Sequence, residues 1–153
     1  MKALELKVPP VIVVFFFALL MWAIAKFIPG DYFIFSGQNI VGWFFYAIGA
    51  LCSVLGVYQF RKAHTTIDPR FPNQTSVLVR SGIYRLSRNP MYLGFLFILI
   101  GWAFQLSHSF NFLLLPLFVL YMNLFQIFPE ERFMASKFGA EYLSYQASVR
   151  RWL

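Results

Sequence analysis

The stretch Gly82-Ile83-Tyr84-Arg85-Leu86-Ser87-Arg88-Asn89-Pro90-Met91-Tyr92-Leu93-Gly94 marks the point where a polar, basic segment gives way to an apolar helix. Pro90 has no backbone N–H and suits the first helical position. Asn89, ahead of it, is restricted to extended geometry and is a residue type that caps free N–H groups. A helix is therefore predicted from Pro90, with Asn89 as its cap. Arg80, Arg85 and Arg88, together with Tyr84 and Tyr92, crowd the positive end of that helix dipole, a setting suited to an anionic group of a small ligand. On local physics alone, the same residues also describe a capped membrane helix whose arginines set topology.

Working outward, the chain has 153 residues, of which 59% are hydrophobic, 21% aromatic and only 12% charged. That is too apolar for a soluble domain and too short for several, so the expectation is one integral membrane domain over residues 1–153. A net charge of +7 would suggest nucleic acid in a soluble protein, but here the charges sit between apolar spans, where they set topology. Nucleic acid is excluded as a partner. The single cysteine, Cys52, lies inside an apolar run, which leaves neither a disulfide within the chain nor a cysteine-based metal site; packing is its expected role, and no metal is predicted.

Four spans are predicted. Residues 9–28 are long enough for a ~30 Å hydrocarbon core, with Pro9 and Pro10 at the start and Pro29-Gly30 at the end. Lys2, Lys7 and the Ala23-Ile24-Ala25 triplet imitate a secretory signal, but the run is longer than a signal's apolar region, so it is read as a first transmembrane helix. The second span, residues 40–60, carries Gly42, Gly49 and Gly56 at seven-residue spacing along one face, where small residues let helices approach closely. The third and fourth, 91–106 and 110–128, form a hairpin about the turn Ser107-His108-Ser109, with Pro116 a candidate kink in the fourth. Between spans two and three lies a polar loop, 61–90, longer than a connection requires. His64 in this loop and His108 in the opposite turn are too far apart in topology to form one site.

At the end of span four, Asn123, Gln126 and Glu130 follow one another at helical spacing, so they share a face if the α-helix continues. Polar groups at membrane depth are costly and face the protein interior or a wet cavity, although helix–helix hydrogen bonding is an equal reading for Asn123. Twelve of the thirteen Lys and Arg flank the spans on one side, leaving Lys26 on the other. By the positive-inside rule both termini and the 61–90 loop are cytoplasmic, and Asn89-Pro90 and Glu130-Glu131 converge at that membrane face. The tail, 129–153, interleaves Phe133, Phe138, Tyr142, Tyr145, Val149 and Trp152 with charges, the pattern of an amphipathic helix on the membrane surface.

These motifs resemble a known family. The pattern Gly82-x-Tyr84-x-x-x-Arg88-Asn89-Pro90-x-Tyr92-x-Gly94, followed by Glu130-Glu131-x-x-Met134 and Phe138-Gly139-x-x-Tyr142-x-x-Tyr145, is similar to that of isoprenylcysteine carboxyl methyltransferases and their bacterial relatives. Phospholipid N-methyltransferases share the signature, and the resemblance covers residues 64–153. It implies S-adenosylmethionine as cofactor, with contacts at Ser76, Val77, Leu78, Val79, Tyr84, Asn89, Pro90, Met91, Tyr92 and Glu130. Methyl transfer would be aligned by Asn89, Tyr92 and Glu130 without an acid–base residue, since the sulfonium already activates the methyl group. Gln126 and Asn123 are the expected acceptor contacts, for a lipidic or prenylated small molecule or peptide that enters sideways from the bilayer.

Two departures bear on the acceptor. Asn89 stands where the eukaryotic enzymes have His, and Gln126 stands where they have a substrate-contacting Arg. A neutral amide lacks the bidentate grip of a guanidinium on a carboxylate, which weakens the case for a prenylcysteine acceptor. The leading expectation is a multi-pass methyltransferase of a bacterial inner membrane acting on an amphiphilic acceptor at the cytoplasmic face. A phospholipid amine N-methyltransferase is the alternative within the enzyme class. A non-enzymatic membrane subunit is the alternative outside it.

Overall fold

A computed structural model describes residues 5–30, 32–63 and 77–153. The described helices are α1 (Pro10–Phe27), α2 (Gln38–Lys62), α3 (Pro90–Leu106), α4 (Asn111–Met122), α5 (Phe128–Phe138) and α6 (Ala140–Ser148). A short 3₁₀ turn, Gly82–Arg85, precedes α3, and a π turn, Asn123–Ile127, joins α4 to α5. The protein is an all-α membrane protein. By length and composition α1, α2 and the continuous run Asn111–Phe138 can cross a membrane, and α3 is a shorter apolar helix beside them.

Each boundary has a local cause. Proline opens α1 at Pro10 and α3 at Pro90, where its missing N–H costs nothing. Ile28, held extended by the following Pro29, ends α1. Asn89 does occupy the cap position of α3, yet its side chain makes no capping bond. Its amide instead donates to the Arg151 carbonyl at 3.0 Å, which corrects the expected cap.

The four long helices run up and down. At one end Tyr32 pairs with His108 and the Gln38 side chain donates to the Phe104 carbonyl at 2.6 Å, joining the α1–α2 link to the α3–α4 turn. At the other end Leu6 N–H donates to the Phe125 carbonyl at 3.0 Å and Ser81 to Gln59 at 3.0 Å. Arg61, Lys62, Arg80, Arg85, Arg88, Arg132, Lys137, Arg150 and Arg151 gather at this second end, where the predicted convergence of the two motifs also lies.

Antiparallel α2 and α3 pack through glycines. A Cβ on Gly49 would lie 2.7 Å from the Gly94 carbonyl oxygen, and one on Gly101 would lie 2.8 Å from that of Gly42. The two backbones therefore touch, as the seven-residue spacing predicts. Gly56 faces Met91, so Met91 packs against α2. The main core forms where α1, α3 and α4 meet: Val13, Phe17, Met21, Leu99, Ala103, Phe118 and Met122 are buried there, with the Phe17 and Phe118 rings edge to face at 5.5 Å. The outward faces of α1 and α2, including Phe15, Phe16, Leu19, Trp43, Phe44 and Val54, are apolar and exposed, as lipid contact requires.

The helix of span four does not end at residue 128. It continues through the π turn into α5, and the tail is two helices broken at Gly139, whose φ of 51° suits glycine. Part of the tail also packs inward: Tyr142 and Tyr145 are buried against Leu78.

Candidate active site

The corner is built where the start of α3 meets α5. Tyr92, in the first turn of α3, directs its hydroxyl at the Glu130 carboxylate and donates to it at 2.5 Å. Tyr84, on the 3₁₀ turn, is 4% exposed, and its hydroxyl is buried without a hydrogen-bond partner. Burial raises the Tyr84 pKa, and the nearby Tyr145 and Glu130 add to the shift, so the phenol stays protonated and its O–H is free to donate. The Tyr145 hydroxyl donates to the Tyr84 carbonyl at 2.7 Å, tying α6 to this turn.

The second glutamate of the pair has a different task. Glu131 accepts from Arg88 at 2.7 Å and from Arg151 through both carboxylate oxygens, at 3.0 and 2.7 Å. Its hydrogen bond to Glu131 raises the Arg151 pKa above the ordinary guanidinium value, although burial opposes the shift. The other terminal nitrogen of Arg88 donates to the carbonyls of Gln146 and Val149, at 2.8 and 2.7 Å, capping the end of α6. Ser87 and Asn89 both donate to the Arg151 carbonyl, at 3.3 and 3.0 Å. The segment 149–152 is thereby strapped across the motif. The arginines expected to attract a ligand anion do not act alike: Arg88 is committed to protein partners, whereas Arg80 forms a half-exposed pair with Glu141.

Beside this corner lies a cavity of about 560 Å³ lined by Val77, Leu78, Val79, Arg80 and Arg85 on one side and by Ser144, Tyr145, Ser148 and Val149 of the tail on the other. Val77, Leu78 and Val79 thus stand together as their sequence grouping implies; Ser76 lies outside the described residues. Tyr145 lines the cavity and also holds the Tyr84 carbonyl, so it ties the cavity to the turn that carries Tyr84. Pro90 is buried as the first residue of α3.

The shared face of Asn123, Gln126 and Glu130 is not formed. Asn123 accepts from the Trp152 indole at 3.1 Å, Gln126 donates to the Val8 carbonyl at 2.7 Å, and Glu130 meets Tyr92. The π turn between them breaks α-helical phase, and Gln126 is fully buried. Gln126 and Asn123, the expected acceptor contacts, thus each bond to another part of the chain. Sequence reasoning missed Arg151, Trp152 and the anchoring role of Glu131. The available signal was an acidic pair beside basic residues in a chain with few acids, because a second buried carboxylate needs counter-ions.

A family model described as phospholipid methyltransferase matches residues 37–141, from the start of α2 into α6. The chain belongs to that family. It is 31% identical over 141 residues to the protein-S-isoprenylcysteine O-methyltransferase of Saccharomyces cerevisiae, an alignment covering 87% of this chain and 58% of that protein. An uncharacterized protein of Haemophilus influenzae is 48% identical over 63 residues, which is 41% of this chain and the whole of that protein. No solved structure matches the chain. The family and the apolar helices make this a membrane protein of methyltransferase type.

Proposed function

We propose that the protein, as a single unit, is an S-adenosylmethionine-dependent methyltransferase, similar to isoprenylcysteine carboxyl methyltransferases, that modifies a lipidic or prenylated acceptor at the cytoplasmic face of a bacterial inner membrane. One observation carries this reading: the half-buried Glu130 carboxylate, held by Tyr92, stands near a buried Tyr84 hydroxyl that has no partner. A carboxyl group withdrawn from water in this way calls for a cationic or multiply hydrogen-bonding ligand. A cofactor bearing an ammonium group and ribose hydroxyls satisfies both Glu130 and Tyr84, and the 560 Å³ cavity is of the size that small-molecule cofactors occupy.

When bound, S-adenosylmethionine supplies a methyl group already activated by its sulfonium, so the chain need furnish no acid, base or metal. Glu130 would take the amino or hydroxyl groups, and Tyr92 would keep its carboxylate aimed. Tyr84 would donate its free O–H, while the Val77–Val79 wall would exclude water. Burial strengthens each of these contacts, since an electrostatic interaction gains as the local dielectric falls. Asn89 would act through the chain, by fastening Arg151 over the start of α3.

A second reading is a phospholipid amine N-methyltransferase, favoured by the description of the matching family model. Incubation of purified protein with methyl-labelled S-adenosylmethionine and a bacterial lipid extract, or with a farnesylcysteine analogue, tests both. Label in the prenyl analogue supports the first reading and label in phosphatidylethanolamine the second. Label in neither, with no cofactor binding in a calorimetric titration, leaves a non-enzymatic subunit.

A further inference from the structure

Pro129 lies four residues after Phe125, where an α-helix would have its N–H bond the Phe125 carbonyl. Proline has no N–H to give, and its ring presses on that carbonyl. The chain here widens into the π turn Asn123–Ile127, closed by the Phe128 N–H on the Asn123 carbonyl. The released Phe125 carbonyl accepts instead from Leu6 N–H at 3.0 Å. Such a turn holds about one residue more than an α turn, so everything beyond it is rotated by about 100° relative to an unbroken helix.

That rotation decides which side chains reach the corner. With it, Glu130 meets Tyr92 and Glu131 meets Arg88 and Arg151. We infer that the π turn sets the rotational phase of α5, and that Gln126 and Asn123 are positioning residues for Glu130. The inference rests on the reading of Glu130 as a ligand of the methyl donor.

Both chain ends hold the turn. Gln126 donates to the Val8 carbonyl and Leu6 to the Phe125 carbonyl, a reciprocal pair with the segment preceding α1. From the other end of the chain, Trp152 donates to Asn123. Leu6 has φ of 56°, a left-handed conformation that a bulky side chain adopts only at a cost, and its N–H is the group that satisfies Phe125. Strain, a π turn and a fully buried glutamine converge on five consecutive residues. This explains a polar side chain at membrane depth without any contact to the acceptor.

Pro129→Ala supplies the missing N–H, so that it can bond the Phe125 carbonyl, the turn closes as an α turn with every residue kept, and α5 swings by about 100°. The variant is expected to weaken S-adenosylmethionine binding about thirtyfold or more, the loss that accompanies removal of a desolvated charged contact. Without ligand, it is expected to speed hydrogen exchange at the Arg88 amide, which bonds the Arg150 carbonyl, by about tenfold, since Glu131 then leaves Arg88 and Arg151. Leu124→Ala, at an exposed residue of the turn, retains wild-type values in both measurements. Gln126→Met keeps the volume but loses the Val8 bond, and Trp152→Phe loses the Asn123 bond; each raises the cofactor Kd severalfold, and these two carry the test if Pro129→Ala does not fold. A folded Pro129→Ala variant with wild-type exchange, or wild-type Kd values in both Gln126→Met and Trp152→Phe, overturns the inference. If the wild-type protein binds no S-adenosylmethionine while Pro129→Ala still speeds exchange at Arg88, the phase role stands and the cofactor reading falls.

Discussion

The Tyr92 hydroxyl and the Glu130 carboxylate meet at 2.5 Å, joining the first turn of α3 to α5 across two parts of the chain that the sequence separates widely. Tyr92→Phe removes the donor and leaves the ring. The variant is expected to fold, since the ring keeps its place in the core. It is expected to lose about 1.5–3 kcal/mol of S-adenosylmethionine affinity, the worth of a hydrogen bond to a charged group that orients a ligand contact. Calorimetry on the detergent-solubilised variant reads this directly, and unchanged affinity would separate Tyr92 from the site.

Glu131 makes a contrasting prediction, about stability. It is 12% exposed and paired with Arg88, which is 8% exposed, and with Arg151. Glu131→Gln leaves Arg88 buried without its counter-ion and should cost about 3 kcal/mol. Glu141→Gln, at a pair about half exposed on both sides, should cost less than about 1 kcal/mol. Thermal unfolding of the two variants in one detergent compares them, and equal midpoints would show that the strap is not fastened through Glu131.

The glycine seam is tested by Gly49→Ala. The added methyl meets the Gly94 carbonyl at 2.7 Å, so α2 and α3 must part or shift, at an expected cost of about 1–3 kcal/mol. Ala50→Leu, on the exposed face of the same helix, is expected to leave unfolding unchanged. A harmless Gly49→Ala would mean the two backbones do not touch there.

The proposed orientation, with both termini cytoplasmic, rests on charge. It predicts that a cysteine placed at Ser36 reacts with an impermeant maleimide from outside intact cells, and that one at Ser136 reacts only after lysis. Cys52 is replaced by Ala in both. The reverse pattern would put the Glu130 corner on the other side of the membrane.

The spans and the convergence of the two motifs were legible because apolar length, proline at helix starts and the one-sided distribution of basic residues each act locally and over whole segments. The seven-residue glycine spacing was legible for the same reason. What a helical wheel could not supply was the phase of α5. Asn123, Gln126 and Glu130 line up only in a regular α-helix, and Pro129 together with contacts from Leu6, Val8 and Trp152 displaces that regularity. Asn89 was placed correctly at the helix start but given the wrong partner, because a cap bond competes with a carbonyl brought in from residue 151. The roles of Arg151 and Trp152 depend on where the tail returns, which no local pattern encodes.

The central claim is that Glu130 holds the methyl donor. Its most direct test is the calorimetric titration of S-adenosylmethionine into wild-type, Glu130→Gln and Glu141→Gln protein in the same detergent. The account predicts that Glu141→Gln matches wild type and that Glu130→Gln binds more weakly by about 2–5 kcal/mol, the cost of removing a partly desolvated charge that meets its ligand. Equal affinity in all three proteins would contradict it.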